Sequence, residues 1–133
     1  MRRIYLDTIG MLALWNAADQ WHQVARAAFV DIAATGAELW TSTFILLECG
    51  NAAARLPFRN DVVTLRERLR DDSTLIEPTA EECEAAWDAY SRGNAGDAGI
   101  VDYISFELMR RLMISEAFTN DHHFRVAGFR TLF

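Results

Sequence analysis

The sequence predicts an α/β domain in three layers, α/β/α, with a mostly parallel central sheet of four to five strands. Three observations carry this. Short apolar, strand-favouring runs alternate with longer segments of helical periodicity, which is the pattern of a parallel sheet covered on both faces. The chain has 133 residues, with 51% hydrophobic and 24% charged residues, only two prolines and seven glycines, so it suits one domain over residues 1–133 with a core of ordinary size. No repeat, low-complexity tract or window of about 18 uninterrupted apolar residues interrupts it, so no membrane span is expected.

Met1 to Asp7 reads as a buried strand, with Ile4, Tyr5 and Leu6 running straight into a carboxylate, and Thr8 to Ala17 as a helical segment. Asp19 is placed to cap a helix from Gln20 to Thr35, in which Trp21, Val24, Ala28 and Ile32 recur at helical spacing and Gly36 is the stop. Leu39-Trp40-Thr41 closes a strand–helix–strand crossover. Ser42 or Thr43 then caps a helix from Phe44 to Leu56 that stops ahead of Pro57. Glu48, Asn51 and Arg55 share one face of it. Asn60 or Asp61 caps a helix through Leu69, and Leu75-Ile76 is a third strand.

Thr79-Ala80-Glu81-Glu82 has the form of a capping box, opening a helix to about Ser91 that is expected to turn Cys83, Ala86, Trp87 and Tyr90 inward. Arg92 to Ala98 is a loop with Asp97 expected to cap the next helix, Ile100 to Leu112, whose seam is Val101, Ile104, Leu108 and Leu112. Ala117-Phe118-Thr119 is a fourth strand running into Asn120 and Asp121. A helical turn from His122 to Ala127, Gly128, and a strand at Phe129 to Leu132 complete the chain.

Cys49 and Cys83 lack ligand-like spacing and read as small buried hydrophobes of a reducing, cytoplasmic compartment. Arg2-Arg3 ahead of an apolar run resembles a signal peptide, but Asp7 falls inside the run and argues against one. Thirteen basic against nineteen acidic residues give a net charge of −6. That balance argues against broad electrostatic binding to phosphates. A nucleic-acid substrate would need a cationic bridge, either a bound metal ion or a local patch such as Arg55, Arg59, Arg66, Arg68 and Arg70.

Taken alone, Asp7 is an ordinary helix cap and the acid in the first turn at Asp102 an ordinary partner for the helix dipole. In open parallel sheets, however, ligands bind beyond the carboxyl ends of the strands. Asp7 and Asp121 sit at two such ends, and Glu48 and Asp102 in early turns of helices that start from the same side. Two carboxylates about 4 Å apart repel by ~4 kcal/mol at an effective dielectric near 20. Four converging acids therefore point to a hard divalent cation, magnesium or manganese over zinc, and to metal-assisted phosphodiester hydrolysis.

The order Ile4-Tyr5-Leu6-Asp7-Thr8, Thr41-Ser42 with Glu48 and Asn51, Val101-Asp102-Tyr103-Ile104-Ser105-Phe106, and Thr119-Asn120-Asp121-His122-His123-Phe124 with Gly128-Phe129 resembles the PIN-domain family. The last stretch is most similar to the toxin ribonucleases of bacterial VapBC toxin–antitoxin pairs. The resemblance spans the chain and implies a Mg²⁺-dependent endoribonuclease (Mn²⁺ as an alternative ion) acting on RNA, held inactive by a small antitoxin protein and forming a homodimer. It makes Asp7, Glu48, Asp102 and Asp121 the acidic quartet. Asp7 and Asp102 are the expected direct metal ligands, with Glu48 and Asp121 binding directly or through water. Thr8 and Thr119 would orient carboxylates, and Asn51 and Arg55 would touch RNA. His122 and His123 are expected in surface or structural roles, and the tryptophans in the core.

One departure stands out. Similar toxins often carry hydroxyl residues just ahead of the third acid, where this chain has Ala98-Gly99-Ile100-Val101. An alternative reading is therefore a catalytically weakened module that binds metal and RNA or a protein partner without cleavage. A phosphoacceptor domain with Asp7 as nucleophile is a weaker third reading, since no second Asp follows two positions later.

Overall fold

The computed structural model describes residues Met1–Phe133. In chain order the elements are β1 (Arg3–Leu6), α1 (Thr8–Trp15), α2 (His22–Ala34), β2 (Glu38–Ser42), α3 (Thr43–Ala53), α4 (Arg59–Asp71), β3 (Leu75–Ile76), α5 (Ala80–Arg92), α6 (Ile100–Arg111), β4 (Glu116–Phe118), α7 (His122–Val126) and β5 (Arg130–Thr131). The expected α/β/α architecture is present, with five strands in the order β3-β2-β1-β4-β5 and every pairing parallel. No helix is long and apolar enough to cross a membrane.

β1 is the central strand because it can be buried on both faces: Ile4, Tyr5 and Leu6 are completely inaccessible. The Tyr5 hydroxyl donates to Ser105 Oγ at 2.8 Å, which satisfies the one polar atom this strand carries into the core. Chain direction across the sheet then decides where a site can form. From β1 the chain moves to β2 and β3 on one side, then returns to β4 and β5 on the other. The switch point lies between the carboxyl ends of β1 and β4, which is where Asp7 and Asp121 follow their strands.

α1 packs on α2 and on α3, and α2 reaches β4; α3 packs on α4, which covers β2 and β3; α5 pairs with α6, and α6 with α7. α1 crosses β4 at Gly10, where a Cβ would lie 1.9 Å from the Phe118 carbonyl oxygen. Phe106 of α6 joins Phe124 of α7 and Phe129 beyond it at ring-centroid distances of 5.0 and 5.7 Å, fixing the short terminal helix on the core.

Several local expectations hold. Thr79 and Glu82 form the full capping box, and the Ser42 hydroxyl accepts the Ile45 N–H. Others are corrected. Asp19 accepts the Trp21 N–H in a turn, so α2 starts at His22, later than expected. Its buried seam is Ala25 and Ile32, with Trp21 and Val24 facing solvent. α4 starts at Arg59 behind Phe58, leaving Asp61 inside the first turn and not at the cap. α3 ends at Ala53, short of Leu56. On α5 only Ala86 is fully buried, while Trp87 and Tyr90 are about half exposed, Tyr90 meeting Tyr103 of α6 edge-on at 5.8 Å.

Candidate active site

Asp7 occupies the N-cap position of α1 but makes no side-chain cap hydrogen bond. The helix therefore does not explain the residue. Its carboxylate, 2% exposed, instead accepts from Thr119 Oγ1 at 2.8 Å, across 112 positions of sequence. The same Thr119 hydroxyl accepts the Asp121 N–H at 3.1 Å, so one buried side chain ties the end of β1 to the turn after β4. Burial pushes the Asp7 carboxyl up to about 7; Thr119 opposes this, and the charges of Asp102 and Asp121 add to it.

Asp102 enters from the first turn of α6. Its carboxyl is pushed up to about 6 by burial and then by the charges of Asp121 and Glu48. Oxygen atoms of Asp102 and Asp121 and a ring nitrogen of His123 lie within 4.8 Å of one another. Glu48 rises from α3, is solvent-accessible, and is held by Thr8, whose hydroxyl donates to Glu48 Oε1 at 2.6 Å. The four acids from four parts of the chain thus share one electrostatic environment at the switch point, and Thr8 and Thr119 each donate to one of the carboxylates.

Two residues expected to touch RNA make no hydrogen bond or ion pair with the acids. Asn51 is exposed one turn further along α3, and Arg55 is exposed beyond that helix's end. A surface groove of about 550 Å³ lies elsewhere, between α3 and α4, lined by Leu46, Leu47, Val62, Val63 and their neighbours.

Sequence reasoning missed His123 and misplaced Asp97. The N-cap of α6 is Gly99, with no side-chain cap bond. Asp97 Oδ1 instead lies 2.7 Å from His123 Nε2, whose other ring nitrogen lies 2.8 Å from Asp121 Oδ1. Contact with Asp97 first, and with Asp121, raises the His123 pKa, and contact with His123 holds the Asp97 carboxyl low. The only sequence signal was the adjacency of His123 to an acid that also caps α7 by accepting the His123 N–H.

The donor set suits a hard divalent cation. A buried carboxylate with one side-chain donor and two acidic neighbours is destabilised by its own charge, and oxygen ligands around a 2+ ion remove that cost. A parallel α/β domain that gathers carboxylates able to hold such an ion at its switch point is the class defined by fold and site together. The chain belongs to the PIN domain family, which it matches over residues 4–130.

Among curated proteins it is similar to the 23S rRNA-specific endonuclease VapC20 of Mycobacterium tuberculosis, in strains CDC 1551 / Oshkosh and ATCC 25618 / H37Rv, with 30% identity over 131 residues and 95% of each chain covered. The crystal structure of M. tuberculosis VapC20, described as a Sarcin-Ricin loop cleaving toxin, superposes with a TM-score of 0.78 at 27% identity over 95% of both chains. FitAcB from Neisseria gonorrhoeae shares the fold, with a TM-score of 0.66 at 14% identity over 96% of this chain and 95% of its own.

Proposed function

We propose that this protein is a Mg²⁺-dependent endoribonuclease, with Mn²⁺ able to substitute, acting as the toxin of a toxin–antitoxin pair. The observation that carries the reading is Asp7, a buried carboxylate with its charge opposed by Asp102 and Asp121 at the sheet's switch point, in a chain related along its length to an rRNA endonuclease. In this reading Asp7 and Asp102 hold the ion directly, and Glu48 and Asp121 hold it directly or through water. A cation so held supplies Lewis-acid chemistry, acidifying water and neutralising charge that develops on the phosphodiester. Thr119 and Thr8 keep Asp7 and Glu48 in one rotamer each. Their role is to spare the site reorganisation when substrate arrives.

With a net charge of −6, the chain binds RNA through the cation and through local groups, for which Asn51 and Arg55 on the α3 side are the candidates. A small antitoxin protein, a homodimeric state and a cytoplasmic location complete the proposal. The test is cleavage of an RNA panel that includes the sarcin–ricin loop of 23S rRNA, with Mg²⁺ or with chelator, by the parent and by Asp7→Asn. Mg²⁺-dependent cutting that Asp7→Asn abolishes supports the reading, and equal cutting by the variant refutes it.

One observation favours a second reading. Asp102 receives no side-chain hydrogen bond, and the residues ahead of it, Ala98-Gly99-Ile100-Val101, supply no hydroxyl; the Gly99 backbone and, less, His123 favour its charged form. A module that binds metal and RNA or protein without cutting would follow. It predicts retention of RNA by the parent with no cleavage at any Mg²⁺ concentration.

A further inference from the structure

We propose that Asp97 and His123 form a positioning arm for Asp121, through which the α5–α6 loop supports the site; the inference rests on the nuclease reading above. The arm is a continuous chain of contacts. Asp97 Oδ1 lies 2.7 Å from His123 Nε2, and His123 Nδ1 lies 2.8 Å from Asp121 Oδ1. Each ring nitrogen faces a carboxylate oxygen at hydrogen-bond distance, so the ring bridges the two carboxylates. The same Asp121 oxygen also accepts the His123 backbone N–H at 3.0 Å. The ring nitrogen and the backbone N–H both meet Oδ1, and Oδ2 has no protein donor.

An aspartate whose side chain is 94% exposed would ordinarily sample several rotamers in water. Here its backbone is set in advance. The loop turns through left-handed conformations at Gly93 and Gly96, with φ of 63° and 64°, which a residue with a Cβ adopts only at a cost. The buried Tyr103 hydroxyl accepts the Ala95 N–H at 2.8 Å and donates to the Gly96 carbonyl at 3.1 Å. Tyr103 follows Asp102 on α6, so the helix that carries the third acid also anchors the loop that reaches the fourth. The His122 ring lies against the His123 ring at 4.1 Å and limits its rotation.

The arm also accounts for a sequence peculiarity. No hydroxyl in residues 98–101 supports Asp102, and the loop's carboxylate reaches Asp121 through His123 instead. Partners of this kind behind a metal ligand change metal affinity or activity by about 10–100-fold when removed.

The test compares the parent with Asp97→Ala, Asp97→Glu, His123→Ala and, as a surface control, Asp88→Ala, which removes only the exposed pair with Arg92. Mn²⁺ binding is followed by the EPR signal of the free ion, and RNA cleavage is measured against Mg²⁺ and RNA concentration. Asp97→Ala is expected to weaken Mn²⁺ binding about tenfold or more. It should lower kcat at fixed Mg²⁺ while leaving the KM for RNA and the thermal midpoint unchanged, and Asp97→Glu should recover part of the loss. An Asp97→Ala variant matching the parent in both assays overturns the arm, as does His123→Ala abolishing Mn²⁺ binding while Asp97→Ala leaves it intact, which would make His123 itself a ligand. Asp7→Asn in the same series separates the two levels. If it is inert while Asp97→Ala behaves as the parent, only the arm fails; if it cuts RNA normally, the nuclease reading fails first.

Discussion

Replacing Asp7 by Asn should stabilise the metal-free protein at neutral and alkaline pH. Moving this carboxyl from its ordinary 3.8 up to about 7 makes its ionised form about 4 kcal/mol less favourable in the fold than in the unfolded chain. The direction of the shift sets the pH dependence. Well below pH 3.8 the group is protonated in both states and costs nothing. The cost grows as pH rises and is complete above the folded value of about 7. Asparagine has the same shape and no charge, and Thr119 can still donate to its Oδ1.

In chelator at about pH 8, urea unfolding is therefore expected to find Asp7→Asn more stable than the parent by about 2–4 kcal/mol. The difference should shrink steadily to about pH 4, where the protonated aspartic acid and the asparagine that replaces it are near-equivalent. Adding Mg²⁺ at the higher pH closes most of the gap: at a concentration about 100-fold above its dissociation constant, the ion adds about 2.7 kcal/mol to the parent and little to the variant. An Asn variant no more stable than the parent in chelator at alkaline pH, or a difference that does not change with pH, would refute the claim that buried, uncompensated charge is what Asp7 contributes.

Thr119→Val removes the donor to Asp7 and the acceptor for the Asp121 N–H inside a fully buried site. It should cost about 1–3 kcal/mol in urea unfolding at neutral pH, and a ¹³C carboxyl titration should find Asp7 protonating at still higher pH. Thr8→Val removes only the 2.6 Å bond to Glu48; cleavage should fall about 10–100-fold with the thermal midpoint preserved, whereas an unchanged rate would show that Glu48 needs no orientation. Gly10→Ala places a Cβ 1.9 Å from the Phe118 carbonyl, and circular dichroism melting should find it destabilised by at least about 3 kcal/mol.

The α/β/α class was readable because each element leaves its period in the sequence. Ile4-Tyr5-Leu6 has no polar alternation, so it had to be a strand buried on both faces, and it is the central one. Local chemistry such as the Thr79–Glu82 box and the Ser42 cap was also legible, because it depends on neighbours within four residues. Periodicity assigned faces less well. Trp87 and Tyr90 sit at helical spacing from Ala86, yet which stripe of α5 is buried is set by how closely α6 approaches.

By itself the sequence determined the residue types and their order: an acid after β1, one in α3, one at the head of α6 and one after β4. It also determined that two hydroxyls, Thr8 and Thr119, stood beside two of them. Tertiary structure alone decided the pairings. Thr119 serves Asp7 from 112 residues away, and Asp97, placed by sequence at a helix cap, serves Asp121 through His123 from 26 residues away. The physical reason is one of range. Caps and periods are settled by backbone geometry within a turn, whereas these hydrogen bonds exist only because the chain doubles back across β1, so that the ends of β1 and β4 share one edge of the sheet.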